Sequence, residues 1–584
     1  MTQTLLKTEK TAIVPTDEQL AIHQSKAKTL IVEAFAGAGK TSSFIGFAEA
    51  FPSTRMLYLA FSAAVKDEAK TKFPKNVRCV TGHGLAYRDY GLQYAHKLNN
   101  PKPFHLMQPL ALDAKSANIV LQTVNNFLQS GEMEIMGRHA AFAAGGDQAV
   151  LNNIVRLARQ AWELMKDIKN VDVPMPHDGY LKLFHLAGEV IHEEVIMLDE
   201  AQDSNGVLLA IVMASPGRKI FVGDRHQAIF GFRGAVNAMD KIEADEHLYL
   251  TASFRFGAGI ANLANAVIGQ YSLHTKPIRG LGKHATKFNV DLAKPHTRIA
   301  RTNAILFAES IRVLNSGRSF GFLGGVENYK FDSVLDAYNL SAGNKGFIKD
   351  QLIKSFPDFA NMRVYAESTD DKELKSIINV VEDYGSDIPR LVKNVQEGAL
   401  KDLSLASIIM TTAHKSKGLE WDSVYLCNDF TDMMEKVTDG VSKKPDIEEV
   451  NLLYVALTRA ERCISLPESL DKFLEEVRMF DAISDRPKLE SVKKYDNHHE
   501  SKAKSEPKKE SFAAQMAHKV LDVVQNSTER TAEMNKVARE LIHDSEGMRK
   551  LILSSPMSMD NIKKMLDYVN TTEFVLKKAI GQQK

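Results

Sequence analysis

The chain has 584 residues, 44% hydrophobic and 25% charged, with 74 Lys and Arg against 73 Asp and Glu for a net charge of +1. That length predicts several domains rather than one core, and the even charge means that nucleic-acid affinity would need a locally basic channel rather than bulk charge. Three scattered cysteines (Cys79, Cys427, Cys463) cannot build a four-cysteine iron–sulfur cluster in one copy, no apolar run reaches the ~20 residues of a membrane span, and Met1–Lys10 has no signal-peptide core, so a soluble intracellular protein is expected.

The first informative element is Thr29-Leu-Ile-Val32, a buried-strand pattern that runs into Ala34-Phe-Ala-Gly-Ala-Gly-Lys-Thr41, with a helix expected from Ser42 to Ala50. A glycine-rich turn at a helix N-terminus points backbone N–H groups into a nest that stabilises a polyphosphate. Ala36, Gly37, Ala38, Gly39 and Ser42 would form that cradle, Lys40 would reach the β- and γ-phosphates, and the Thr41 hydroxyl would ligate Mg²⁺. Ala34 stands where the usual loop has its first glycine.

A second strand, Val195-Ile-Met-Leu198, ends in Asp199-Glu-Ala-Gln-Asp203. A carboxylate at the end of a parallel strand is where an α/β sheet places a metal ligand, so Asp199 would hold Mg²⁺. Glu200 would orient and deprotonate the attacking water, because phosphoryl transfer to water depends on positioning and charge neutralisation. A third strand, Lys219-Ile-Phe-Val222, leads to Gln227, a neutral amide suited to contacting a γ-phosphate. Beyond it Phe230 reads as core, whereas Phe232 beside Arg233 has the composition of a base-stacking platform.

Together these and further ordered segments resemble superfamily 1A helicases of the UvrD/Rep/PcrA type over about residues 15–465, and within them the helicase core of the F-box DNA helicases. Thr16-Asp-Glu-Gln19 resembles the Q motif, Leu57–Ser62 motif Ia, Thr81-Gly-His83 motif Ib and Leu250–Phe256 motif IV. Ala300–Ala304 resembles motif IVa, Thr411–Trp421 motif V and Asn451–Glu461 motif VI, and His177-Asp-Gly-Tyr-Leu-Lys-Leu183 draws the comparison toward the F-box branch. The resemblance implies ATP with Mg²⁺, Gln19 reading the adenine edge, Phe254 stacking on adenine and Glu420 binding ribose. Arg255 and Arg459 would stabilise charge on the γ-phosphate from a second domain, so that ATP closes the cleft and hydrolysis opens it. It implies single-stranded DNA as partner, with single/double-strand junctions. Phe61, Phe232 and Trp421 would be stacking aromatics, and His83, Arg233, Arg301, Asn303 and His414 polar contacts; Trp421 suits the core equally well. It also implies 3′→5′ movement and a place in repair, recombination or replication, in the cytoplasm near the nucleoid of a prokaryote or virus, or in the nucleus of a eukaryote.

The expected fold is α/β, two RecA-like domains with parallel sheets and helical insertions. The first comprises 1–88 and 186–245 with a 1B-like insert at 89–185; the second comprises 246–310 and 396–480 with a short 2B-like insert at 311–395. Residues 481–511, Lys/Ser/Glu-rich with Pro487 and Pro507, read as a flexible linker. Residues 512–584 read as a helical module, a candidate for binding a protein partner. About fifteen residues precede the Q motif, leaving no room for an F-box. Two other readings stay open: a translocase that strips proteins from single strands without efficient unwinding, and a non-motor component that uses ATP as a switch in a larger complex.

Overall fold

The computed structural model describes residues 15–476 except 146, 232–237, 270–275, 369–370, 431–435, 439–440 and 444–445. The expected linker 481–511 and helical module 512–584 lie outside the described residues. The chain separates into two units, 1–488 and 489–584, and the described residues all belong to the first.

Six strands, β1 (Thr29–Ala34), β2 (Met56–Ala60), β3 (Val77–Thr81), β4 (Val195–Leu198), β5 (Arg218–Gly223) and β6 (Glu246–Leu250), form a parallel sheet in the order β3-β2-β4-β5-β1-β6. The period of two in each strand divides the apolar residues between two cores. Ile31, Leu57, Leu59, Ile196, Leu198 and Phe221 face a cluster shared with the helices Ala114–Leu128, Gln148–Lys166 and His177–Leu186. Leu30, Val32, Met56, Tyr58, Val195, Met197, Ile220 and Val222 face the other cluster, under the helix Lys40–Ala50. The residues expected as an insert, 89–185, therefore share a core with the sheet and cover one of its faces.

A short parallel pair follows, β7 (Ala252–Ser253) with β8 (Arg279–Gly280). The second sheet contains β9 (Lys287–Phe288), β10 (His296–Ala300), β11 (Phe320–Phe322), β12 (Ile408–Thr412), β13 (Trp421–Leu426) and, after the antiparallel hairpin β14 (Lys436–Thr438) and β15 (Val441–Lys443), β16 (Ala460–Ser465). Its order is β11-β12-β10-β13-β16-β9, again all parallel. The molecule is thus α/β with two RecA-like sheets.

Two placements differ from the sequence expectation. Glu246–Leu250, expected to open the second core domain, is the edge strand of the first sheet, where Leu250 is buried beside β1 and adds to the cluster under the helix Lys40–Ala50. Residues 311–395 supply β11 to the second sheet. Their helices share one apolar cluster with β10 and β12, through Val334, Ile377, Ile388 and Val395 against Ala300, Ile408 and Met410.

Candidate functional site

The turn after β1 is built for a close approach of backbone to ligand. Gly37 and Gly39 have φ of +73° and +76°, the left-handed region that side chains disfavour. A Cβ on Gly37 would lie 2.6 Å from Arg255 Cβ and 2.7 Å from Ser253 Oγ, and one on Gly39 would lie 3.2 Å from Gln19 Nε2. The helix that starts at Lys40 adds its N-terminal amides and dipole to this concavity. Gln19 is fixed at the loop by a capping box, its Oε1 accepting from the Thr16 N–H at 3.0 Å. Phe254, half exposed, borders Gly39 and donates its N–H to Gly37 O at 2.9 Å. Ser42 is exposed, one residue into the helix from Thr41.

Adjacent strand ends bring the acidic groups to the same place. Tyr58 OH, on β2, donates to Asp199 Oδ2 at 2.5 Å, and Lys40 Nζ lies 2.6 Å from Glu200 Oε1. Glu200 has φ +50°, a left-handed turn costing about 1–2 kcal/mol for a side-chain-bearing residue. Gln202 Nε2 donates to Glu200 Oε2 at 2.6 Å, and Gln227 Nε2 to Asp224 Oδ2 at 2.8 Å. Burial and the neighbouring Glu200 push Asp199 above the usual carboxylate range. For Glu200 burial acts upward, but Lys40 and Lys417 outweigh it and hold the carboxyl low.

The second half supplies the cations. Arg459 is 1% exposed; its guanidinium donates to Val455 O at 2.9 Å, Leu419 O at 3.0 Å and Thr458 Oγ1 at 3.2 Å. Burial, with Arg255 nearby, brings Arg459 down to about 9. Arg255 donates to Glu420 Oε2 at 2.6 Å and Thr458 O at 2.8 Å. Glu420, expected at a ribose, is therefore bonded to Arg255 here.

A cavity of about 470 Å³ between the sheets is lined by Ala36, Gly37, Lys40, Thr41, Asp199, Glu200, Gln227, Arg255, His414 and Arg459, among others. The structure thus gathers most of the expected nucleotide-site residues around one space. Ser253 Oγ, beside Gly37, and Asp203 Oδ1 are buried without a hydrogen-bond partner among the described residues. A turn in which Gly37 and Gly39 leave the backbone amides uncovered, a lysine, a hydroxyl, a carboxylate pair and two arginines fit a nucleoside triphosphate with a divalent cation.

Three participants escaped the sequence reading. Lys417 reaches across from the second half to Asp203 and to Gln227 O (2.5 Å), with its Nζ 5.2 Å from the Phe230 ring centre. Asp203 is pushed up to about 6 by burial, against the pull of Lys417. Tyr454 OH donates to Asp224 Oδ2 at 2.9 Å and accepts from the Ala36 N–H at 3.4 Å. All three stand inside the segments read as motifs, and the available signal was that Asp203 and Lys417 each follow closely on the end of a buried strand.

A second cleft, about 680 Å³, opens beside the first and shares Phe61, Asp199 and Phe230 with it. Phe61 is half exposed and stacks on Phe230 with ring centres 6.0 Å apart and planes 14° apart. Phe230, read as core from sequence, is therefore nearly buried yet lines both clefts. His83 lines the second cleft, 2.8 Å from Asp178. The ring of His414 is 6.4 Å from Phe230. The other candidates for strand contact stand elsewhere. Arg301 is engaged by Glu449 at 2.6 Å, Asn303 begins a helix and donates its N–H to Glu373, and Trp421 packs on the core cluster of the second sheet. Phe232 and Arg233 lie outside the described residues.

Two parallel sheets, with a glycine-rich turn after β1 facing Arg255 and Arg459 across the cavity, give the chain a two-domain architecture of the RecA-like kind. The comparisons agree: the UvrD/REP helicase N-terminal domain family matches residues 189–246, and the UvrD-like helicase C-terminal domain family matches 333–466. The chain is 31% identical over 484 residues to F-box DNA helicase 1 of Gallus gallus, covering 76% of this chain and 48% of that protein. It is 31% identical over 496 residues to F-box DNA helicase protein 1 of Schizosaccharomyces pombe, covering 76% and 56%. It is 23% identical over 322 residues to a probable DNA helicase of Mycoplasma pneumoniae, covering 52% and 49%. The chain spans about half the length of these relatives, and it carries a UvrD-type superfamily 1 helicase core. No helix among the described residues is long and apolar enough to cross a membrane.

Proposed function

We propose that the chain is an ATP-dependent DNA helicase that moves 3′→5′ along single-stranded DNA, in repair, recombination or replication. The observation that carries this reading is the cavity between the sheets, in which the phosphate loop and carboxylates of one half face Arg255 and Arg459 of the other. ATP is the substrate. Its β- and γ-phosphates take Lys40 from Glu200, and Glu200, released, orients and deprotonates the attacking water. Thr41 and Asp199 are the residues that would hold Mg²⁺, which offsets phosphate charge. Gln227 contacts the γ-phosphate, and Arg255 and Arg459 turn from carbonyls and Glu420 toward charge that develops there.

Because Arg255 and Arg459 are anchored on the second half, the triphosphate binds the closed arrangement more tightly than the open one, which is the differential contact a motor requires. Phe61 and Phe230 couple this cycle to the strand, since they line both clefts. Base stacking on such aromatics grips single strands without sequence preference.

The test is ATP-driven unwinding of matched duplexes with only a 3′ or only a 5′ single-stranded tail, with strand-stimulated ATP hydrolysis followed in parallel. Unwinding confined to the 3′-tailed duplex supports the proposal. Stimulated hydrolysis without unwinding replaces it with the protein-stripping translocase. Hydrolysis that no strand stimulates sinks both motor readings and leaves the ATP-switched component.

A further inference from the structure

The helix Ile447–Leu457 of the second half lies along the segment of the first half that carries Gln227. Glu448, Asn451 and Tyr454, at successive i, i+3 spacings and so on neighbouring turns of one face, meet that segment in reverse order. The Glu448 carboxylate borders Gly231, 3.3 Å from where a Cβ of that glycine would stand. Asn451 Nδ2 donates to Ala228 O at 3.1 Å, and Tyr454 OH donates to Asp224 Oδ2 at 2.9 Å. Around these contacts the seam is apolar: Phe35, Ala36, Ile229 and Phe230 of the first half share one core cluster with Val450 and Leu453 of the helix.

Tyr454 is fully buried, with its ring 5.9 Å from that of His226. A phenyl group would fill the same space with no polar atom to satisfy, yet here the hydroxyl is used on both sides. A carboxylate only accepts, so the phenol proton goes to Asp224, and an oxygen lone pair takes the Ala36 N–H of the phosphate loop at 3.4 Å. Burial and the adjacent Asp224 push the phenol well above its ordinary value, which keeps that proton in place.

Asp224 passes the constraint on. Its Oδ2 also accepts from Gln227 Nε2 at 2.8 Å, and its Oδ1 takes the His226 N–H at 3.0 Å. Its own main-chain N–H is held by Gln202 Oε1 at 3.1 Å, so the side chain pivots on a fixed backbone. An amide NH2 carries two protons. With one of them bound to Asp224, the other is the one left to contact a γ-phosphate. The hydroxyl that fixes this arrangement comes from the half that carries Arg459, five residues further along the chain.

We propose that Tyr454 is a positioning residue for ATP hydrolysis, whose hydroxyl orients the Gln227 amide through Asp224, so that the seating of the second half that supplies Arg459 also aligns Gln227. The inference rests on the ATP reading given above and adds to it a residue that acts through another.

The experiment measures kcat and KM for ATP, with single-stranded DNA saturating, for the full-length wild type, Tyr454→Phe, Gln227→Ala and the double variant. Tyr454→Phe is expected to lower kcat about tenfold with KM within about twofold, since it misaligns a group rather than removing a binding contact. Because the ring is kept, its thermal midpoint should stay within about 5 °C of wild type. Gln227→Ala should lower kcat about a hundredfold, and adding Tyr454→Phe to it should cost less than about twofold more, because the two changes break one connection. A Tyr454→Phe chain with wild-type kcat, or one whose tenfold loss recurs in full on top of Gln227→Ala, overturns the inference while the ATP reading stands. A collapsed thermal midpoint marks the hydroxyl as structural and overturns it likewise. Gln227→Ala at the wild-type rate removes the γ-phosphate role of Gln227 and the inference with it, and a wild type that hydrolyses no ATP overturns the ATP reading itself.

Discussion

In the first half of the cavity Lys40 rests on Glu200, Asp199 on Tyr58 and the neutral Gln227 on Asp224, all partners within that half. In the second half the cations rest chiefly on main-chain oxygens, Arg459 on Val455 O and Leu419 O, Arg255 on Thr458 O as well as Glu420. The first arrangement is a formed cradle held by an internal salt bridge. The second is a store of donors that can be redirected at small cost, because a carbonyl bond to a cation is worth far less than a phosphate bond to the same fork. Lys417 crosses between the halves to Asp203. The closure on ATP proposed above calls for this asymmetry: one half to bind, the other to respond.

The largest expected effects sharpen that contrast. Lys40→Ala removes the cradle's cation and should lower steady-state ATP hydrolysis by about a thousandfold or more in a chain that still folds, with a lower thermal midpoint because Glu200 loses its partner; hydrolysis at the wild-type rate would place the site elsewhere. Arg459→Ala should also cost about a thousandfold in turnover. It should lower stability by about 2–4 kcal/mol in denaturant titration, since three buried hydrogen bonds are lost with it.

Next comes the crossing pair. Lys417→Met leaves Asp203 buried and unpaired, an expected loss of about 3 kcal/mol near pH 8. The sign of its pH dependence follows from Asp203. Burial raises this carboxyl to about 6, so between pH 6 and its unfolded value near 4 the folded chain holds a proton that the unfolded chain does not. This group's contribution therefore shifts toward the folded state as pH falls through 6, and the penalty of Lys417→Met should shrink between pH 8 and pH 5. A penalty that is flat over that range would mean that Asp203 is not the partner that matters. The smallest effect is at the strand: Phe61→Ala should weaken single-strand binding by about 1–3 kcal/mol, leaving ATP hydrolysis without DNA close to wild type. Unchanged strand affinity would leave the Phe61–Phe230 stack a purely structural contact.

The local motifs were legible because their chemistry is carried by consecutive residues. Ala34–Thr41 and Asp199–Asp203 each come at the end of a short strand with an apolar run, Leu30–Val32 and Val195–Leu198, so strand end, turn and functional group arrive together in the sequence. The α/β class and the parallel sheets followed from the same pattern. The strand contacts were less legible. Arg301 and Trp421 have residue types suited to nucleic acid, but a glutamate distant in sequence, Glu449, and the core of the second sheet engage them. Phe230, read as core, does belong to the core cluster of the second half and also forms a wall shared by two clefts.

What the sequence alone determined is the order of parts: a phosphate loop, a carboxylate pair at a strand end, and arginines far downstream, because strand periodicity and turn composition are encoded within a few residues of each other. Tertiary structure alone decided that β6 closes the first sheet, that Lys417 meets Asp203 and that Gln122 and Asn125, on the helix Ala114–Leu128, share a cleft with Phe61. Those are contacts between groups more than a hundred residues apart or on separate elements, where burial and charge pairing between surfaces, not local propensity, select the partner.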